Sequence, residues 1–103
     1  MPSVLARTLQ SFTTERITVD DTAGGVRLTL ATWMAIPTAQ AATLTVETAQ
    51  IRWLKDGTAP SSTTGHLANV GTVIFLDSPQ ELWSFRAIRT GATSGVLQAS
   101  YHR

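Results

Sequence analysis

Apolar and polar residues alternate along most of this chain with the period of a β-strand. The clearest stretch runs over residues 42–57, ATLTVETAQIRWLKDG. Leu44 and Val46 interleave with Thr43, Thr45 and Glu47, as in a strand with one buried face. A pinch at Thr48-Ala49 follows, then a second strand with Ile51 and Trp53 on one face and Arg52 and Lys55 at wetter positions. Asp56-Gly57 closes the run as a turn, because glycine accepts positive φ and aspartate bonds its own backbone. Glu47 and Arg52 are expected to pair across the pinch.

Upstream, residues 1–10 (MPSVLARTLQ) read as a short arm or strand. Residues 15–19 read as a strand, residues 20–25 as an Asp/Gly turn, and residues 26–32 (VRLTLAT) as its hairpin partner. Pro37 disfavours a helix just before it, so residues 33–41 read as a loop. Downstream, residues 58–65 are a Ser/Thr/Pro/Gly loop. Residues 72–77 (TVIFLD) form an apolar run expected to be covered on both faces, inside the domain or by a neighbour. Ser78-Pro79-Gln80 reads as a turn. Residues 81–89 alternate as a strand, with Trp83, Phe85 and Ala87 on one face. Residues 90–95 turn, and residues 96–101 form the last strand with Leu97, Ala99 and Tyr101 in register. About seven short strands with turn signals between them predict an all-β fold: an antiparallel β-sandwich or barrel-like unit with little helix. Residues 11–103 are read as that single domain.

Composition narrows the function classes. Of 103 residues, 15% are charged, against the usual ~25%. The exterior is then largely Thr, Ser, Ala and Gln, which fits a subunit packed against neighbours and equally an ordinary β domain. A net charge of +1 gives no case for nucleic acid or an anionic membrane as partner. Seven of the eight basic residues are arginine, suited to fixed multi-donor contacts. The chain has no cysteine, hence no disulfide framework or thiolate chemistry. Residues 1–9 lack the continuous apolar stretch of a secretion signal.

No constellation points to catalysis. The two histidines, His66 and His102, fit no metal-ligand spacing. Asp20, Asp21 and Asp56 read as turn formers, and the remaining carboxylates, Glu15, Glu47, Asp77 and Glu81, form no pattern. There is no phosphate loop and no nucleophile elbow. We expect a non-enzymatic protein without a cofactor or bound metal. Trp53, Trp83 and Phe85 fit inward strand positions. Trp33, near Pro37, is the tryptophan expected at the surface, and a sugar-binding platform needs two such rings on one face.

Residues 45–60, 65–71, 73–77, 85–88 and 96–101 resemble, in order, a pattern found in small structural proteins of tailed bacteriophages. That pattern has a strand of the type TVE-A-IRW/Y--DGT-PT, a GH-L--G segment, an apolar strand, an FRAI strand and a closing L-V-Y strand. The likeness covers the C-terminal sixty or so residues. Ala59-Pro60-Ser61 departs from the preferred Pro-Thr, and Leu54-Lys55 departs before the turn. The turn at residues 56–60 is also similar to the small β domain of chitobiase-like enzymes, which keeps a carbohydrate-binding module as an alternative.

The phage resemblance implies a virion component assembled in the host cytoplasm, foremost a capsid decoration or cement protein. Its partner would be the major capsid protein. A tail, connector or baseplate subunit is the alternative. It also implies homo-oligomers, with trimers at three-fold positions favoured. Residues expected at such contacts, by exposure alone, are Arg7 and Leu9 in the arm, Trp33 and Met34 in the loop, and Arg86 and Arg89 near the last turn.

Overall fold

A computed structural model describes residues 9–29, 32 and 38–103. Its strands are β1 (Ser11–Val19), β2 (Ala41–Glu47), β3 (Ile51–Leu54), β4 (His66–Ala68), β5 (Val73–Leu76), β6 (Arg86–Arg89) and β7 (Gly95–His102). One short helix, α1 (Pro79–Ser84), lies between β5 and β6. The strands form two antiparallel sheets, ordered β1-β7-β2-β5 and β4-β3-β6. The architecture is therefore the all-β sandwich expected from the alternation.

The core follows from register. Across the inner face of the larger sheet run the rows Ile17–Leu97–Val46 and Glu15–Ala99–Leu44–Ile74, and then Tyr101–Ala42–Leu76. Ile51, Ala87, Leu82 and Phe85 close over them from the other layer, and all are fully or nearly fully buried apart from Glu15. Gly95 sits where the layers come closest. A Cβ there would lie 2.5 Å from the Ile51 Cγ2 and 2.9 Å from the Ala49 carbonyl oxygen. The expected pinch is where the chain leaves one sheet for the other. Thr48 adopts φ 73°, and Ala49 N–H donates to the Glu47 carbonyl at 2.8 Å.

Four local expectations are corrected. Of the expected strand over residues 26–32, the described residues 26–29 form neither a strand nor a hairpin with β1, and residues 30 and 31 lie outside the described residues. β1 is satisfied by the long β7 instead, and Val26 makes one isolated bridge to Ala87 on β6. The turn at residues 20–25 carries the chain onto that edge because Gly25, at φ 89°, nests against Pro60 and Arg86.

Residues 81–84 are helical rather than extended. Ser78 is the N-cap, accepting from Glu81 N–H at 3.2 Å, and Pro79 opens the first turn. This Ser-Pro-x-Glu start outweighs the local alternation. Trp83 consequently turns outward while Leu82 is buried.

Residues 66–68, not expected as a strand, pair with β3. Arg52 does not meet Glu47: it donates to the Ser62 and Gly65 carbonyls at 3.0 and 2.9 Å, while Glu47 accepts from Gln98.

Candidate protein-interaction surface

Five large hydrophobic side chains are exposed among the described residues, and four fall within residues 67–75. These are Leu67 (49% exposed), Val70 (59%), Val73 (45%) and Phe75 (60%). Single exposed apolar residues are ordinary, but Val73 and Phe75 stand side by side on one face of one edge strand. β4 and β5 are edge strands of different sheets joined by residues 69–72, so Val73 and Phe75 lie on the outer face of the larger sheet and Leu67 on the outer face of the smaller one.

The backbone of β5 gives the patch a direction. Val46 N–H donates to the Thr72 carbonyl at 2.9 Å, and the Val46 carbonyl accepts from Gly71 N–H at 2.8 Å. In an antiparallel ladder such pairs recur at every second residue. Leu44 and Ala42 therefore bond their partners Ile74 and Leu76. The N–H and C=O groups of Val73 and Phe75 consequently point away from β2. Among the described residues no strand pairs with that edge.

The same two residues carry the outward side chains, beside the Thr45 and Thr43 of β2. β5 thus presents apolar side chains and open backbone groups together. The continuous apolar run expected to be covered on both faces is covered by this chain on its inner face only.

Both ends of the open edge are closed by this chain. At the start, Thr72 N–H donates to the Asn69 carbonyl at 2.9 Å, and Gln50 steadies Asn69 by a 2.6 Å side-chain bond. At the end, Asp77 N–H donates to Glu81 Oε1 at 2.8 Å. That bond, followed by the Lys55 ammonium 3.3 Å away, holds the Glu81 carboxyl below its ordinary value.

Of the residues expected at contacts, Arg7, Trp33 and Met34 lie outside the described residues. Leu9 is half-buried, next to Gln10, whose backbone exchanges two 3.1 Å bonds with Arg103. Arg86 donates from Nη1 to the Gly24 carbonyl at 3.0 Å. Arg89 pairs with Asp21 at 3.3 Å and bonds Ser94. Both arginines thus tie the turns flanking β6 to the body of the domain. They sit on the opposite flank from residues 67–75.

The aromatic residues divide similarly. Trp53 packs against the core with its ring 5.0 Å from His66 and 6.1 Å from Phe85. Trp83 is 46% exposed, and the Arg27 guanidinium lies 4.5 Å over its ring. Arg27 also donates to the Trp83 carbonyl at 2.6 Å. His102 meets Thr43 at 3.2 Å. Asp20 and Asp56 cap their own turns through the backbone N–H groups of Thr22 and Thr58, as expected. Among the described residues no group of three or more His, Asp or Glu side chains is placed to hold a metal ion, and no helix is long and apolar enough to cross a membrane.

Compared with known proteins, the chain matches no family model, no curated protein and no solved structure.

Phe75, Val73, Leu67 and Val70 are exposed but are not among the residues expected at contacts, which were arm and loop residues and arginines. The signal was present in the run VIFL itself: four apolar residues in a four-residue edge strand have one face too many to bury.

Proposed function

We propose that this chain is a non-enzymatic structural subunit of a tailed-bacteriophage virion, acting as a capsid decoration or cement protein. The observation that carries the reading is the open apolar edge of β5. A protein that works by contact needs a rigid body and a surface left unsatisfied until a neighbour arrives. The ordered resemblance over residues 45–101 supplies the virion context.

The physical action is mass-action stabilisation. A subunit that binds the assembled shell but not its separated parts shifts the equilibrium toward the shell. Three-fold assembly on the lattice remains the favoured form, with the major capsid protein as partner. The charge-poor, threonine-rich outer face of the β1-β7-β2-β5 sheet suits such packing. The carbohydrate-binding alternative has less to draw on. Trp53 packs against the core beside His66 and Phe85, and Trp83 carries Arg27 across its ring.

The test is co-sedimentation of the purified chain with heads from the phage that encodes it, followed by cryo-microscopy. Stoichiometric density on the shell and a higher disruption temperature are expected. No density on the particle, with no change in head stability, overturns the reading.

A further inference from the structure

The open edge of β5 is short, uncharged and symmetric about Ile74. We infer that its occupant is the β5 edge of a second copy, paired antiparallel about a two-fold axis through Ile74, so that two four-stranded sheets become one of eight strands. This rests on reading residues 67–75 as a contact surface.

Three observations favour a second copy over a foreign strand. First, the open backbone groups are confined to Val73 and Phe75. Thr72 is engaged by Asn69 and Val46, and Asp77 N–H is held by Glu81. The open ladder is therefore three residues long, and a second copy supplies an open ladder of the same length. Second, an antiparallel edge is its own complement. The two-fold pairs Val73 with Phe75 of the other copy, and Phe75 with its Val73, closing four backbone hydrogen bonds. It also sets a β-branched side chain beside an aromatic one twice over, a favourable cross-strand pair. Third, neither outward side chain is charged, so the rotation brings no like charges together at the seam. Edge strands protected from such pairing usually carry a charge, a proline or a bulge, and β5 has none within residues 73–76.

Area sets the strength. Two half-exposed side chains, Val73 and Phe75, flank the seam, far less than the ~800 Å² per partner of a stable complex. The dimer is therefore weak in free solution and forms fully where other contacts hold the copies close. On a lattice it would join trimers to one another rather than build them.

The chain's lack of cysteine makes the register testable by cross-linking. In the two-fold pairing, Val73 and Phe75 of opposite copies have Cα atoms about 5.5 Å apart, within disulfide reach. Two Val73 residues, or two Phe75 residues, are roughly 9 Å apart and outside it. V73C and F75C are made separately, checked for native circular dichroism, and oxidised alone and as an equal mixture. We expect the mixture to give at least about five times the disulfide dimer of either variant alone. In sedimentation of the wild type near millimolar concentration we expect a concentration-dependent dimer that V73K/F75K abolishes. Equal cross-linking in all three samples, or a wild-type monomer at every concentration, overturns the inference. Cross-linking in the mixture with no binding to heads would leave the dimer standing and remove the virion reading; head binding without register-specific cross-linking would do the reverse.

Discussion

The two flanks of the sandwich manage their edges in opposite ways. At the outer edge of β6, the chain covers itself. Val26 and Ala87 exchange backbone bonds of 2.7 and 3.0 Å, Arg89 N–H donates to the Asp20 carbonyl, and the Arg86 and Arg89 side chains lash the adjoining turns. On the flank of β4 and β5, little covers the edge, and Leu67, Val70, Val73 and Phe75 face water. The difference teaches that sealing an edge takes a whole added segment, which β6 has in residues 20–28 and β5, among the described residues, does not.

Substitutions that strike the two flanks unequally test this contrast. The largest effect is expected at Phe85, 1% exposed beneath the closed flank. Phe85→Ala should remove about 3–5 kcal/mol, lowering the melting temperature by roughly 15 °C or more in calorimetry. A shift of only a few degrees would mean that this side is not the anchor.

Next is Tyr101, whose hydroxyl donates to Glu15 Oε1 at 2.5 Å while Thr29 N–H donates to the same oxygen at 3.1 Å. Tyr101→Phe should cost about 1.5–3 kcal/mol, the range for a hydrogen bond to a charged group. Burial, and then the Glu15 carboxylate, push the Tyr101 hydroxyl above its ordinary value near 10. A folded-state value raised above the unfolded one gives stability that is complete below pH 10 and lost as pH rises beyond it. The wild type should therefore lose stability in denaturant titrations above pH 10 more steeply than Tyr101→Phe. Parallel curves would refute the coupling.

Glu81, at the border of the open edge, should matter less. Glu81→Gln weakens both the tie to Asp77 N–H and the pair with Lys55, for up to about 1 kcal/mol. The carboxyl is held below its ordinary value of 4.5. Its contribution is thus complete above pH 4.5 and disappears as pH falls through the lower folded value, so wild type and variant should converge in acid. Smallest of all is the change at Phe75, the mirror of Phe85 on the open flank. Phe75→Lys should shift stability by less than ~0.5 kcal/mol. A loss comparable to that of Phe85→Ala would show that the outward ring is part of the core.

Much of this arrangement was legible one strand at a time. The alternation of Leu44 and Val46 marked β2, the pinch at Thr48 marked the crossing to β3, and Asp20 and Asp56 capped the turns expected of them. The contact surface was half legible, since the VIFL run announced two apolar faces without saying which would stay bare. Two segments with equally good alternation misled. Residues 26–29 lost the competition for β1 to β7, which offers a matching partner along nearly the full length of β1. Residues 81–84 followed the Ser78 cap into a helix, and with that half-turn Trp83 moved from the expected interior to the surface.

By itself, then, the sequence determined the all-β class, the positions of most strands and turns, and which side of each strand is apolar. These depend on period and turn chemistry, which act over a few neighbouring residues. Only the tertiary structure decided which strands pair, which arginines are consumed internally, and that β5 ends a sheet with its outer face bare. An edge is defined by the absence of a neighbour, and neighbours are chosen by competition among segments distant in the chain.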